Sequence, residues 1–153
     1  MIELDAVDRK IIRALQADAN LSTQSLAEKV GSSQSSCWRK VRSLEETGVL
    51  GKLTRSVDAR AIGLSVNVMC NIRLKNHQPD TRADFQKFIN ARDEVLESFA
   101  MSGDWDYLLR VVSDSVETYQ NFLMRSLLVH PSVVTASSHF VLSVDKFTTA
   151  LPV

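Results

Sequence analysis

The 153-residue sequence is poor in the residue types on which several protein classes depend. Its two cysteines, Cys37 and Cys70, lie far apart and form no C-x-x-C pair, so we expect reduced thiols. The three histidines have no metal-ligand spacing with them, so we predict no metal and no cofactor. No stretch approaches the ~20 consecutive apolar residues of a membrane span. A secretory signal peptide begins with basic residues followed by an apolar stretch, whereas this sequence begins with acidic residues. This favours a cytoplasmic protein.

The sequence also lacks an excess of charge of one sign. Its 18 basic residues balance 18 acidic ones, which excludes a uniformly basic protein that coats nucleic acid through charge alone. With 5 Gly, 3 Pro and 44% hydrophobic residues, the composition is typical of a soluble globular protein, neither disordered nor fibrous. The first 60 residues contain 10 basic and 8 acidic residues, and the remainder 8 and 10. The balanced total therefore combines two parts of opposite sign.

Signatures of catalysis are missing as well. There is neither a G-x-x-x-x-G-K-[ST] phosphate loop nor a G-x-S-x-G nucleophile elbow. His77 is predicted in a loop, His130 before a proline and His139 in a strand, where each is more readily structural or solvated than catalytic. We therefore expect no catalytic residues and no enzyme.

Hydrophobic spacing predicts three helices at the start of the chain. The first covers residues 6–18 and begins with an Asp-x-x-Asp capping box. The second has Ser22 as its N-cap and ends at Gly31, and the third begins after Ser33 and ends at Gly48. A short turn containing glycine separates the second and third helices. This arrangement is typical of a helix-turn-helix.

The third helix concentrates the positive charge of this region. Between residues 29 and 42 there are four basic residues and no acidic residue. In helix-turn-helix proteins the first turn of the recognition helix contacts base edges, whereas basic residues further along bind phosphates. We therefore predict base contacts from Gln34 and Ser35, with Arg39 as a third candidate, and phosphate contacts from Lys40 and Arg42.

Trp38 has two interpretations. It either contacts DNA or packs against a neighbouring helix or partner chain, and packing is more common for a tryptophan beside a core stripe. For the helix as a whole, the alternatives to DNA binding are a solvated surface helix and a protein-interaction module. The complete set of candidate DNA-binding residues is Ser33, Gln34, Ser35, Trp38, Arg39, Lys40 and Arg42.

A short segment is predicted to link the helices to a second domain. Residues 49–57 have β-branched side chains and no helical period, which indicates a strand. Asp58 is placed to cap a single turn that Gly63 closes. The predicted organisation has three parts: a helix-turn-helix, winged-helix-like DNA-binding domain over 1–50, a linker strand and turn over 51–63, and an effector-binding and oligomerisation domain over 64–153.

The rest of the chain predicts an α+β domain. Strict alternation over 64–74 indicates a half-buried strand. A helix to about residue 92, strands over 95–102 and 105–112 joined at Gly103-Asp104, a second helix, and a strand over 133–144 follow. This β-α-β-β-α-β order is ferredoxin-like. Helices cover only one face of such a sheet, so we expect oligomerisation, with three residues divided between core and subunit interface: Val66, Val68 and Ile72.

Several motifs match a known family in order and spacing: Leu4-Asp5-x-x-Asp8-x-x-Ile11-Ile12, Leu26-Ala27, Cys37-Trp38-Arg39-Lys40-Val41-x-x-Leu44-Glu45-x-x-Gly48-Val49, Gly103-x-x-Asp106-Tyr107-Leu108-Leu109-Arg110-Val111, and the ending Phe140-Val141-Leu142 through Lys146-x-Thr148-Thr149-x-Leu151-Pro152. They resemble the Lrp/AsnC (leucine-responsive/asparagine-regulator, feast/famine) transcription factors of prokaryotes. The resemblance covers nearly the whole chain.

The resemblance implies a homodimer formed by the C-terminal domains, often assembled further into tetramers or octamers, that binds double-stranded DNA and is modulated by amino acids. It places the effector between C-terminal domains. The implied contacts are Met101, Ser102, Gly103, Asp104, Trp105 and Asp106 from the turn, and Val134, Thr135, Ala136, Ser137 and Ser138 from the facing stretch. Asp104 or Asp106 suits the ammonium of an amino acid. Backbone N–H groups near Gly103, with Thr135 or Ser137, suit its carboxylate.

Two other functions are compatible with parts of this pattern. An architectural DNA-binding protein of low sequence specificity would depend on backbone contacts, which the zero net charge disfavours. Some tetrapyrrole-side-chain decarboxylases share the two-domain architecture, so an enzyme is a remote alternative. We predict a transcriptional regulator, associated with the nucleoid of a prokaryotic cytoplasm.

Overall fold

The computed structural model describes residues 2–153, which divide into two compact units. One unit contains the residues up to Ser56 together with Lys146–Val153, and the other is Val57–Asp145. This division differs from the predicted organisation, which placed all of 64–153 in one domain. The difference arises because the last residues pack against the first helix of the chain.

Three helices form the first unit: α1 (Ala6–Ala17), α2 (Thr23–Val30) and α3 (Gln34–Glu46). The predicted capping box of α1 is confirmed. The carboxylate of Asp5 accepts hydrogen bonds from the backbone N–H groups of Val7 and Asp8, each at 2.8 Å. The carboxylate of Asp8 accepts one from the N–H of Asp5 at 3.0 Å. Together these bonds satisfy backbone donors that the first turn of a helix leaves unpaired.

The turn between α2 and α3 also forms as predicted. Ser22 and Ser33 cap α2 and α3 through their hydroxyl oxygens. Gly31 ends α2 with φ +71°, a left-handed conformation that glycine adopts without a steric penalty. The three helices bury one shared core, which includes Ile11, Ala14, Leu26, Val30, Cys37 and Leu44.

The predicted linker strand is wrong for this chain. Across residues 51–58, all of which the structure describes, no strand is formed. Val49 and Leu50 instead pack against the core of the first unit, and the N–H of Leu50 donates to the carbonyl of Leu44 at 2.9 Å. A β-rich composition forms a strand only where a neighbouring strand supplies hydrogen bonds. The following turn is confirmed as a 3₁₀ turn over Arg60–Ile62, which Gly63 closes. The carboxylate of Asp58 accepts from the N–H of Arg60 at 2.9 Å, although the N-cap position itself is Ala59.

The second unit has the predicted β-α-β-β-α-β order. Its elements are β1 (Val66–Leu74), α4 (Pro79–Asn90), β2 (Val95–Ala100), β3 (Tyr107–Ser113), α5 (Val116–Phe122) with a π-helical turn over Leu123–Leu127, and β4 (Val133–Phe140). The strands form one antiparallel sheet in the order β2-β3-β1-β4, as in a ferredoxin-like fold.

The alternation of β1 assigns its residues to the two faces of the sheet. Val68, Cys70 and Ile72 are each 0% exposed and lie in the core beneath α4 and α5. Val68 and Ile72 therefore belong to the core part of the predicted division between core and subunit interface, and Val66 packs against the same core. The open face carries the intervening side chains of β1 and their cross-strand neighbours, including Met69, Arg110 and His139.

The last strand is shorter than predicted. It ends at Phe140, although the apolar pattern extends to Val144. Only the N–H of Val141 continues the pairing, to the carbonyl of Asn67 at 2.9 Å. Leu142 is 91% exposed, so the apolar alternation after Phe140 does not correspond to a buried face of the sheet. Among residues 2–153, no helix is long and apolar enough to cross a membrane.

Candidate DNA-binding and effector sites

Helix α3 presents its first turn to solvent. Gln34, Ser35, Arg39 and Arg42 are exposed, whereas Cys37 and Leu44 on the opposite side are buried. This is the orientation that the apolar spacing predicts. The hydroxyl of Ser33 is occupied as the N-cap and accepts from the N–H of Ser36 at 3.3 Å. Gln34 and Ser35 thus stand at the accessible end of the helix.

Lys40 has an intramolecular role that the sequence prediction did not include. Its ammonium donates to the carboxylates of Asp5 at 2.7 Å and Asp8 at 2.8 Å, and its side chain is only 26% exposed. The hydrogen bonds to Asp5 and Asp8 raise the pKa of Lys40. The hydrogen bond from Lys40 is the main cause that lowers the pKa of Asp5 to about 2. Lys40 therefore connects α3 to the capping box of α1.

Trp38 lies at the edge of an apolar groove. Its side chain is 57% exposed, and it lines a cavity of about 240 Å³ with residues of α1, α2 and the segment after α3. The guanidinium carbon of Arg42 lies 5.9 Å from the centre of the indole ring. Such a contact is within the range of a cation–π interaction. Within one chain Trp38 is therefore only partly packed, and its surface is open to DNA or to another chain.

The turn between β2 and β3 forms one wall of a second cavity, of about 470 Å³. Gly103 in this turn has φ +112°, a conformation that favours glycine. The cavity is lined by Leu74, His77, Arg82, Ala100, Met101, Ser102, Gly103, Asp106 and Tyr107. Of the predicted effector residues, the structure brings Met101, Ser102, Gly103 and Asp106 to this cavity.

Asp106 is held in place by the end of β1. One carboxylate oxygen accepts from the N–H of Leu74 at 2.7 Å, and the other lies 3.4 Å from Nδ1 of His77. The backbone N–H of Asp106 donates to the carbonyl of Ile72 at 2.9 Å. A carboxylate fixed in this way has a defined position at the cavity wall and keeps free lone pairs on both oxygens.

Asp104 and Trp105 have a different position. The carbonyl oxygen of Asp104 accepts two hydrogen bonds from the guanidinium of Arg73, at 2.7 and 3.1 Å. The same guanidinium lies 5.1 Å from the ring centre of Trp105. Arg73 thereby fixes the turn, but neither Asp104 nor Trp105 is part of the cavity lining.

The predicted facing stretch on β4 is not brought to this cavity within one chain. Thr135 and Ser137 share the open face of the sheet with β1, as their pairing with Arg73 and Asn71 shows. Ala136 packs against the core. Val134 is exposed and, like the other three, does not line the cavity.

Ser138 faces the interior instead. Its hydroxyl lies 2.5 Å from the hydroxyl of Tyr119 and 3.9 Å from the sulfur of Cys70. Burial is the main cause that raises the pKa of both Tyr119 and Cys70. This partly buried polar cluster joins α5 to the sheet. Ser138 lies on the core face of β4, opposite Cys70, so it is not available to a ligand at the open face.

Sequence reasoning missed two ionisable residues of the cavity. His77 and Arg82 lie in the loop after β1 and in the first turns of α4. The signal was present, because β1 and β3 are adjacent in a β-α-β-β-α-β sheet, and the end of β1 then meets the start of β3. An ionisable residue just after β1, here His77, therefore lies near Asp106.

Comparison with known proteins agrees with this geometry. Residues 4–45 match the model of the AsnC-type helix-turn-helix domain, and residues 67–151 match the Lrp/AsnC ligand binding domain. The chain belongs to the Lrp/AsnC family. The predicted family, the α+β fold class and the helix-turn-helix are thus confirmed.

Individual Lrp/AsnC proteins align along almost the full length of the chain. The Transcriptional regulator AzlB of Bacillus subtilis is 34% identical over 152 residues, which cover 99% of this chain and 97% of AzlB. The Glutamate uptake regulatory protein of Zymomonas mobilis is 35% identical over 150 residues, 98% of this chain and 91% of that protein. This Lrp/AsnC protein is accordingly a transcriptional regulator with a helix-turn-helix DNA-binding domain.

Solved structures show the same fold. A transcriptional regulator of Neisseria meningitidis in complex with L-Met superposes with a TM-score of 0.93 at 32% identity, covering 98% of this chain and 97% of that one. An AsnC family regulator of Agrobacterium tumefaciens superposes with a TM-score of 0.91 at 37% identity, covering 97% of each chain.

Proposed function

We propose that this regulator reads its DNA site with the first turn of α3 and that an amino acid bound at the β2–β3 turn modulates it. The proposed DNA contact is supported by the exposure of Gln34, Ser35 and Arg39, which lie on the side of α3 opposite its buried residues. Gln34 and Arg39 contact base edges. Ser33 and Arg42 contact the neighbouring backbone, and Trp38 lies beside them.

Lys40 has a positioning role in this proposal rather than a phosphate contact. Two of its three N–H donors are engaged by Asp5 and Asp8. A phosphate would have to compete with two carboxylates that are already within hydrogen-bond distance. Arg39 is the basic residue nearest the base-reading turn that has no such partner within residues 2–153. It forms none of the salt bridges found among these residues.

Substitution of Arg39 tests the DNA contact. Arg39→Ala is expected to weaken binding to a duplex selected from a random-sequence library by roughly 10-fold or more, the scale of one lost base contact. Arg125→Ala is the matched control, since it removes the same charge from an exposed site in the second unit. Fluorescence anisotropy measures both affinities. Equal affinities for the two variants would contradict the assignment of α3.

The proposed effector site is the cavity at the β2–β3 turn. Asp106 accepts the ammonium of an amino acid, and Arg82 on the neighbouring helix donates to its carboxylate. The apolar members Leu74, Ala100 and Met101 contact the side chain. Asp104, Trp105 and Val134–Ser137 lie outside this cavity in one chain, so in the proposal they contribute only across an assembly.

A thermal-shift screen of the twenty amino acids tests this site, with L-Met as the first probe because the Neisseria regulator was solved with it. An amino acid at 100 times its Kd stabilises a protein by about 2.7 kcal/mol. Arg82→Ala is expected to abolish the shift, whereas Lys87→Ala on the same helix retains it. Arg82 is exposed, so its loss does not disturb the core. A retained shift in Arg82→Ala would refute the carboxylate contact.

The assembly is also part of the proposal. On the open face of the sheet, Phe99 is exposed, and Met69 and Leu108 are only half-buried. An apolar, one-sided sheet is suited to pairing with a second copy. We propose a homodimer through the second unit that assembles further into a tetramer or octamer, measured by analytical ultracentrifugation. Such a regulator acts in the prokaryotic cytoplasm and has no catalytic activity.

A further inference from the structure

Residues 146–153 bind α1 through a small number of specific contacts. The side-chain amide of Gln16 donates to the carbonyl of Leu151 at 3.1 Å and accepts from the N–H of Leu151 at 2.6 Å. Nε of Arg13 donates to the carbonyl of Val153, whose side chain packs partly buried against the core of the first unit. The Gln16 amide therefore pairs with Leu151 as a peptide group of a neighbouring strand would.

The segment is also organised for this contact. The N–H of Ala150 donates to the hydroxyl of Thr148 at 3.1 Å, which forms a local turn ahead of Leu151. Pro152 follows Leu151 and restricts the backbone before Val153. The peptide N–H groups of Ala150 and Leu151 are thus both satisfied, although the segment contains no helix or strand.

Burial of apolar surface contributes little to the contact between residues 146–153 and α1. The side chains of Phe147 and Leu151 remain exposed, and Val153 alone packs against the core. A segment that buried Phe147 and Leu151 would add to the hydrophobic core of the first unit. Polar pairing at one glutamine and one arginine instead specifies where the segment lies.

The path of the chain gives this contact a consequence for the second unit. The chain leaves the first unit at Ser56 and returns to it at Lys146, so both ends of the second unit continue into residues of the first. With residues 146–153 bound, two chain segments connect the units. When this segment is released, only the connection after Ser56 remains.

We propose that residues 146–153 are an intramolecular ligand of the DNA-binding domain, which binds α1 at Arg13 and Gln16 and limits the reorientation of that domain relative to the second unit. This pre-organises the DNA-binding domains of an assembled protein for simultaneous contact with one DNA site. The effect on DNA binding rests on the proposed assembly, whereas the contact with Gln16 does not.

The test uses Gln16→Ala in the full-length protein, because this change removes both hydrogen bonds to Leu151 and leaves the helix core intact. Gln24→Ala is the matched control, since Gln24 is an exposed glutamine on α2 whose side-chain amide donates to the carboxylate of Glu28 at 3.2 Å. A chain ending at Asp145 is the second variant. Circular dichroism first establishes that each variant is folded.

Hydrogen exchange measures the contact directly. The Leu151 amide is expected to exchange roughly tenfold faster in Gln16→Ala than in the unchanged protein or Gln24→Ala. Affinity for a duplex selected with the unchanged protein is expected to fall roughly three- to tenfold in Gln16→Ala and in the chain ending at Asp145. Gln24→Ala is expected to retain full affinity.

Two results would overturn the proposal. Unchanged exchange at Leu151 in Gln16→Ala would show that the segment is not held by Gln16. Faster exchange with unchanged DNA affinity would show that the segment does not limit reorientation. If the protein is a monomer by ultracentrifugation, the proposed assembly fails, and the exchange measurement still decides whether Gln16 binds the segment.

Discussion

The hydrogen-bonded cluster of buried Tyr119, half-buried Ser138 and buried Cys70 leads to a stability prediction. Tyr119 is 3% exposed, and its hydroxyl lies 2.5 Å from that of Ser138 across the junction of α5 and β4. Tyr119→Phe removes one partner and leaves the Ser138 hydroxyl with only the weak Cys70 sulfur at 3.9 Å. Because Ser138 is only half-buried, water can take the place of part of the lost bond, and a cost of about 1 kcal/mol is expected.

This cost predicts a measurable change in the unfolding of the second unit. For a domain of this size, 1 kcal/mol corresponds to roughly 4–8 °C in Tm. Each unit contains one tryptophan, Trp38 in the first and Trp105 in the second. Urea unfolding monitored by Trp105 fluorescence in a Trp38→Phe background therefore reports on the second unit. All samples are compared at one protein concentration, because assembly shifts the apparent stability.

A control substitution and a double-mutant cycle make the reasoning refutable. Tyr107→Phe is the control, because Tyr107 is also buried but its hydroxyl makes none of the side-chain hydrogen bonds found in residues 2–153. Its free energy of unfolding is expected to change by less than about 0.5 kcal/mol. Tyr119→Phe and Ser138→Ala should be non-additive by about 0.5–1.5 kcal/mol, because they remove the same bond. Additive losses, or equal losses at Tyr119 and Tyr107, would refute the hydrogen bond as the cause.

Two further predictions concern groups with shifted pKa values. The folded pKa of Asp5, about 2, lies below its ordinary value of 3.8, so the stabilisation from its hydrogen bond with Lys40 is present above pH 3.8 and lost as the pH falls towards 2. Acid unfolding monitored at Trp38 should therefore lose this component in Asp5→Asn, and an unchanged acid profile would contradict it. Burial raises the pKa of Cys37 and Cys70, so neither thiol should react with Ellman's reagent before urea unfolds its unit; rapid labelling of the native protein would disprove this.

The elements that could be predicted from sequence are those specified by neighbouring residues. The capping box of α1, the Ser22 and Ser33 caps and the left-handed Gly31 depend on residues within one turn of each other. The alternation of β1 likewise follows from its own side chains. These local signals, in order, were sufficient to place both the helix-turn-helix and the ferredoxin-like sheet.

The features that sequence reasoning missed depend on contacts between distant residues. The strand predicted for 49–57 had the right composition, but in one chain no neighbouring strand pairs with residues 51–58. The contact of Leu151 with Gln16 spans 135 positions and leaves no periodic pattern. The distinction between Asp104 and Asp106 follows from which carboxylate reaches the N–H of Leu74, which depends on the register of β1 against β3.

Lys40 shows why a count of charges does not locate a DNA-binding surface. The sequence places four basic residues and no acid between residues 29 and 42, and this suggests a uniformly positive helix face. In the folded chain Asp5 and Asp8 neutralise Lys40, and Arg42 lies 3.5 Å from Glu45. Arg39 is the basic residue of α3 without such a partner among the described residues. One chain therefore presents little unpaired charge at this helix, so the proposed DNA binding depends on base contacts and on the repetition of the helix in the proposed assembly.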